Sequence, residues 1–474
     1  MDRGEVRVSI TRGIEQKPGM LMSDVFEKFV KGSPVAIMAR ALMERALEPQ
    51  ALDALFREQA ERQYEKELLF SSLVDLMALV VCGAHPSVRQ AYQAMREQLP
   101  VTLTALYAKL NGVEVGTSEA LVAHSAQQLR AVMEALGTPD TTWLPGYRIK
   151  ALDGNHLAAT ERRLAELRGS AAGPLPGQAL VVLEPELGLV TQIVGCEDGH
   201  AQERSLLAPV LAAVQDQDVY LADRNFCTLG FLFGVAERRG FFVLRQHAHL
   251  PVASSGTRHR RGRTDTGQVF EQTVTLQSDE RELVLRRIVL QLDLPTRDGD
   301  TEMAILTNLP SDVADAPTIA DLYRRRWTIE SLFARVERNL QSEIATLAYP
   351  GAALFAFAVA LVASNVFAVV HAAMTAAQKA HEDPKVAEMP LSDFAIVEQF
   401  RSVYGGMNMV IDEEHWRPFQ THSASQVAML LLRWGEHIRW PQFRKAVRGP
   451  KVRRKRTRFL NTPHVSTARL LGRT

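Results

Sequence analysis

Asp153, in "YRIKALDGN", and Asp223, in "DVYLADRNF", each close a run that alternates like a β-strand. Glu330 lies further on, in "LYRRRWTIESLFARVERNL" from Leu322 to Leu340, where apolar residues recur at helical spacing. A residue at a strand end is held rigidly by the sheet, and the loop beyond leaves room for substrate. Three carboxylates brought to one sheet edge can hold two divalent metal ions about 4 Å apart. Mg²⁺ suits that task, because it takes hard oxygen ligands and keeps waters and phosphate oxygens in its shell. One ion would activate water or a 3′-hydroxyl, and the other would stabilise the leaving oxygen. Singly, each acid says little, since an Asp before Gly is commonly a turn residue.

The Glu330 stretch sorts on a helical wheel. Tyr323, Arg326, Glu330 and Glu337 fall within a band about 60° wide. Leu322, Ile329, Phe333, Val336 and Leu340 form a neighbouring packing stripe. Arg324, Arg325, Arg335 and Arg338 lie elsewhere, mostly towards solvent. Trp327 falls roughly 40° from Tyr323 and is expected to pack the helix in place. The plain reading is an amphipathic helix with an incidental polar side. The alignment of Tyr, Arg and Glu downstream of two strand-end aspartates favours a helix that carries an active-site carboxylate.

The elements that position these residues are predicted as an α/β chain in three parts. Residues 1–140 read as helical, with Ser33-Pro34 as a helix start. Residues 141–375 read as β-β-β-α-β-α-β, a mixed sheet with helices packed on it. A β-rich insertion follows over about 248–300, containing a basic loop "SSGTRHRRGRTDTG" and the strand-like "QVFEQTVTL" and "RELVLRRIVLQLDL". "EMAILTNLP" then resumes the sheet. Residues 376–474 read as helical, with the basic tail "RKAVRGPKVRRKRTRFLNT" near the end. Gly351–Met374 is apolar and long enough to span a membrane, but its alanines, Ser364 and Asn365 point to a helix buried in a protein core. The 474 residues are 46% hydrophobic and 23% charged, with a net charge of +1. That excludes a disordered or polycationic chain, so any nucleic-acid binding must use local basic patches. Three scattered cysteines and a charged N-terminus fit a reducing, cytoplasmic setting and form no thiolate zinc site.

Asp153 in "LDGN", Asp223 in "ADRNF" and the helix "YRRRWTIESLF" together resemble the DDE transposases of the insertion-sequence-four family. The family's signature on that helix is Tyr, two residues, Arg, three residues, Glu, six residues, Lys. Tyr323, Arg326 and Glu330 match it, whereas the fourth position is Glu337. The resemblance covers roughly Tyr147 to Ala373 and implies a ribonuclease-H-like core. It implies Asp153, Asp223 and Glu330 as a catalytic triad holding two Mg²⁺ ions, for which Mn²⁺ can substitute. Tyr323 and Arg326 would grip phosphates at the transposon end. The implied activity is metal-dependent cleavage at transposon ends and strand transfer to target DNA, by cut and paste through a hairpin. The implied partners are double-stranded DNA, as ends and target, and a second copy of the chain in a synaptic homodimer, with no membrane. The implied setting is the cytoplasm, on the nucleoid when DNA is bound. Relatives of this kind also flip a base onto an aromatic in or near the β insertion; no Trp lies between Trp143 and Trp327, which leaves Phe270 as a guess.

Further cations surround this frame. Arg245, at the end of "FFVLRQH", sits where it could meet a phosphate or be a plain surface arginine. Arg260 and Arg261, with Arg258 and Arg263, read as a flexible basic loop on the DNA backbone, and Arg338 or Arg335 as a replacement for the cation missing at Glu337. His156 and His259 make an unconvincing metal pair. The Arg444–Arg458 tail reads as a DNA contact or a solvated terminus. The N-terminal helices are candidates for end recognition without a clear helix-turn-helix. Two rival readings are a non-catalytic DNA-binding descendant of a transposase and a ribonuclease-H-like nuclease without strand joining.

Overall fold

A computed structural model describes residues 24–63, 67–137, 142–158, 173–296, 299–446 and 464–472. The sheet begins with β1 (Arg148–Leu157), and the short β2 (Gly173–Leu175) follows it in the chain. Next come β3 (Gly177–Glu184), β4 (Leu189–Cys196), β5 (Asp218–Ala222) and β6 (Phe241–Arg245). The inserted region supplies β7 (Ser254–Ser255), β8 (His259–Thr264), β9 (Gly267–Ser278) and β10 (Arg281–Leu292). β11 (Glu302–Thr307) resumes the sheet, and β12 (His464–Ser466) pairs with β2 in a separate ribbon.

The main sheet runs in the order β4-β3-β1-β5-β6-β11-β10-β9-β7, with β8 paired to β9. β1, β3 and β4 form an antiparallel meander, and β1, β5 and β6 are parallel. The chain is therefore mixed α/β, with helical regions before and after the sheet, an arrangement consistent with a ribonuclease-H-like transposase core. The inserted strands are not a separate module. β11 pairs with β6, and β10 and β9 continue from β11, so they widen the same sheet.

Three local expectations are corrected. Asp153-Gly154 is not a turn. β1 runs through both residues to Leu157, because Gly154 stays in register with Leu180 of β3. The basic "RHRRGR" is not a flexible loop either: His259–Thr264 is an edge strand on β9, irregular between Arg260 and Gly262. The Leu322–Leu340 stretch is not one continuous helix. A helix at Ala316–Arg325 meets a second at Trp327–Asn339, and the chain tightens at the junction. There the Arg326 and Ile329 amides donate to the carbonyls three residues back, Tyr323 and Arg326, at 3.0 and 3.1 Å. The basic tail over 447–463 lies outside the described residues.

Strand alternation sends side chains to two cores. Leu152, Leu180, Tyr220, Ala222 and Leu244 face one layer, where Leu207–Ala212 and Leu229–Glu237 pack. Ile149, Val219, Leu221 and Val243 face the other, beneath Ala316–Arg325. On that second side, β1 and β3 also meet the large helical core through Ala151, Val181 and Leu183. At the centre of that core is the helix Pro350–Lys379, long and apolar enough to cross a membrane, with 94% of its most apolar window buried inside the protein. Its Asn365, fully buried, accepts from the Val190 amide at 2.7 Å and donates to the Val190 carbonyl at 2.8 Å. The amide thus completes the main-chain hydrogen bonding of the edge strand β4 and fixes the helix against the sheet. Asn365→Leu strands two buried backbone groups, and is expected to cost roughly 2–4 kcal/mol of stability, read as a fall in denaturant midpoint at unchanged slope.

Candidate active site

The register of the parallel strands sets the site. Leu152, Ala222 and Leu244 are aligned across β1, β5 and β6. The next residue in each strand is Asp153, Asp223 and Arg245, and alternation turns these away from the core that takes the first three. β5 ends at Ala222 while β1 continues, so Asp153 stands at the point where its parallel neighbour stops. Asp223 keeps extended backbone (φ −80°, ψ 180°) and caps the 3₁₀ turn Arg224–Phe226, its Oδ1 accepting from the Asn225 amide at 2.7 Å. The two strand-end aspartates inferred from sequence are therefore neighbours at one sheet edge.

Glu330 arrives on the Trp327–Asn339 helix, which packs Ile329, Leu332 and Val336 and leaves Glu330 partly open. Arg326, at the helix junction and only 7% exposed, ties it to the sheet. Its Nη2 donates to Glu330 Oε1 at 2.8 Å, and its Nη1 donates to Asp153 Oδ2 at 3.3 Å. Among the described residues its buried Nε has no hydrogen-bond partner. Tyr323 is buried beside it, with the guanidinium 6.0 Å from the ring centre. Burial pushes the Tyr323 hydroxyl pKa up, the Arg326 and Arg245 charges lower it, and the Asp223 charge raises it again. Tyr323, Arg326 and Glu330 thus do stand together, and they stand with both aspartates.

Burial also pushes the Asp153 carboxyl up to about 6; Arg326 and the Gly154 amide oppose this, while Asp223 and Glu203 add to it. Among the described residues, no three His, Cys, Asp or Glu side chains are close enough to hold a metal ion as they stand. A guanidinium occupies the space between Asp153 and Glu330 instead. The donor set itself fits a hard divalent ion: three carboxylates, no sulfur and no imidazole.

The other sequence-inferred cations are placed differently. Arg245 is in the site row but engaged with Asp300 at 2.6 Å. Arg261 pairs with Glu271 at 3.0 Å, and Arg260 is exposed with no ion pair among the described residues. Arg338 is exposed and donates to Ala334 of its own helix at 2.7 Å, and Arg335 faces Asp393. Phe270 is not a free platform, because the Arg258 guanidinium lies 4.4 Å from its ring centre. Trp327 does not pack the helix in place: it is 59% exposed, because the tightened junction breaks the continuous wheel. The indole borders a cavity of about 340 Å³ lined by Leu290, Leu292, Met303, Ile305 and Tyr323. Two polar residues escaped sequence reasoning, Glu203 and Asn225, whose side chains meet at 2.6 Å beside the aspartates. Their only sequence signals are the Gly after the first Asp and the Asn two residues after the second.

Residues 145–365, a little under half of the chain, match the family model described as a transposase DDE domain. A putative transposase, y4zB, from Sinorhizobium fredii (strain NBRC 101917 / NGR234) is 31% identical over 136 residues, 27% of this chain and 36% of that protein. A probable transposase for insertion sequence element IS5377 from Geobacillus stearothermophilus is 26% identical over 199 residues, 40% and 48% of the two chains. The matches support a DDE transposase. They span about a third to a half of the length of those curated relatives.

The Asp153 shift has a sign that can be tested. The folded protein holds this proton up to about pH 6, whereas the unfolded chain releases it near 3.8. The folded state therefore binds more protons in that window, and this group's contribution falls as pH rises through it. Asp153→Asn carries no charge to bury. It should make the metal-free protein more stable at pH 7 by roughly 1–3 kcal/mol, and denaturant titrations should show the gain shrinking to nothing by about pH 4.

Proposed function

We propose that this chain is an insertion-sequence-four-type transposase that cuts DNA at the ends of a mobile element and joins the freed 3′ ends to target DNA, by cut and paste through a hairpin. The observation that carries the reading is the side-by-side placement of Asp153 and Asp223 where the parallel pairing of β1 with β5 stops, with Glu330 tied to Asp153 through Arg326. Asp153, Asp223 and Glu330 would hold two Mg²⁺ ions. Bound there, such ions activate the attacking hydroxyl and neutralise charge on the phosphate in flight.

The remaining residues orient DNA. Arg326 presents a fork that suits a phosphate as well as a carboxylate, and Tyr323 sets a hydroxyl beside it. In the free protein the Arg326 fork is spent on Asp153 and Glu330. Ion binding at those acids frees it for phosphate, so metal loading and DNA gripping are linked through one side chain. Exposed Trp327, at the mouth of its apolar cavity, is the surface on which a base turned out of the duplex would stack. Arg260, on the β8 edge, adds a backbone contact. Joining two ends implies two copies of the chain on DNA.

Two measurements test the reading. Glu330→Gln should lower divalent-ion-dependent cleavage of end DNA on the order of 10³-fold or more while gel-shift binding to the same DNA persists. Full cleavage by that variant would sink the assignment, and failure of the natural protein to join precut ends would leave a nuclease. Arg326→Ala should bind Mn²⁺ more tightly than the natural protein when DNA is absent, and hold end DNA more weakly. Unchanged Mn²⁺ affinity in calorimetry would refute the linkage through Arg326.

A further inference from the structure

Glu203 is not used by the site as described, yet it touches the surroundings of both aspartates. It opens the 3₁₀ turn Glu203–Leu206, which leads into the helix Leu207–Ala212 on the opposite face of the sheet from Arg326. Its Oε2 accepts from Asn225 Nδ2 at 2.6 Å. Asn225 is the residue whose amide is capped by Asp223. Its other oxygen lies against Gly154, so close that a Cβ at this position would overlap the carboxylate. Gly154 has ordinary strand backbone with no positive φ. The missing side chain at Gly154 leaves the space that the Glu203 carboxylate occupies.

We propose that Glu203 is a positioning residue for the metal-binding aspartates: it braces the Asp153-Gly154 strand against the Asp223–Asn225 turn and thereby fixes the two carboxylates relative to each other. The inference rests on the reading of Asp153 and Asp223 as metal ligands. It explains two features of the sequence together. The Gly after Asp153 admits the carboxylate, and the Asn two residues after Asp223 grips it. β1 and β5 have already stopped pairing at this level, since the last parallel pair is Leu152 with Ala222. Beyond it the strand and the turn share no ladder hydrogen bond, and the described link between them is Gly154–Glu203–Asn225. Supports of this kind typically change metal affinity by about 10–100-fold when removed.

The test uses the full chain and Mn²⁺ alone, titrated by calorimetry without DNA, with thermal melting as a check on folding. Glu203→Ala should weaken Mn²⁺ binding at least about tenfold with little change in melting temperature. Glu203→Gln keeps an oxygen for Asn225 and should stay within about twofold of the natural protein, as expected of a hydrogen-bonded brace that survives loss of charge. Unchanged affinity in Glu203→Ala, or Glu203→Gln as weak as Ala, would overturn the assignment. Should Glu203→Ala fail to fold, Asn225→Ala leaves the acid present but unheld and is expected to show the same weakening; natural affinity there would equally overturn it. Asp223→Asn is the control. If it binds Mn²⁺ like the natural protein, the metal-site reading itself fails; if it loses binding while Glu203→Ala does not, only the role of Glu203 falls.

Discussion

A single buried guanidinium joins the two halves of the site. Removing a charge of this size from water is costly unless it is paired and hydrogen-bonded. Arg326 meets that requirement by drawing one acid from the sheet and one from its own helix. The pairing ties the Trp327–Asn339 helix to β1 beside Glu330. It also accounts for the tightened junction, where the chain must place Tyr323, Arg326 and Glu330 on the aspartate side while Ile329 and Val336 enter the core. The unpartnered Nε leaves the network incomplete. A partly satisfied polar network is a poor device for stability, and on the proposed reading it would suit a side chain that exchanges partners when DNA binds.

The sheet does the complementary work. Parallel register brings Asp153 and Asp223 level, and the inserted strands widen the same sheet past β6 instead of hanging from it. Asn365 anchors the far edge at β4, so the apolar helix and the sheet behave as one frame. Burial within this frame raises the Asp153 carboxyl, and the nearby Asp223 and Glu203 charges add to the shift. The site is built at some expense to the metal-free fold.

Much of this was legible in the chain. Strand alternation located both aspartates, and helical spacing aligned Tyr323, Arg326 and Glu330, because both periodicities follow from local geometry. What was not legible depends on contacts between distant segments. "LDGN" reads as a turn by composition, yet pairing with Leu180 extends the strand through it. Glu203 lies in "GHAQERSLL", with no pattern of its own; it matters only because Gly154 and Asn225 come to it. Trp327 was misplaced because a wheel assumes uniform rotation, and the i→i−3 bonds around Arg326 break that assumption. "RHRRGR" looked like a mobile loop because its composition is polar; cross-strand pairing with β9 makes it an edge strand whose arginines largely have acid partners.

Glu337 bears on how DNA can lie against this surface. It is exposed two helical turns beyond Glu330, about 10 Å along the axis. Its charge adds to desolvation in pushing the Glu343 carboxyl up to about 7, so the two acids sit within electrostatic reach of each other near the Ala158 amide. A phosphate backbone following the helix from Arg326 towards Asn339 would meet the exposed Glu337 carboxylate. In the opposite direction lie exposed Trp327, its cavity and the β8 edge with Arg260, together with Asp265, Asp293 and Asp321, of which Asp265 and Asp321 pair with Arg324. On the proposed reading, the acid at position 337 would leave the grip on the DNA end to the Tyr323–Arg326 side of the helix.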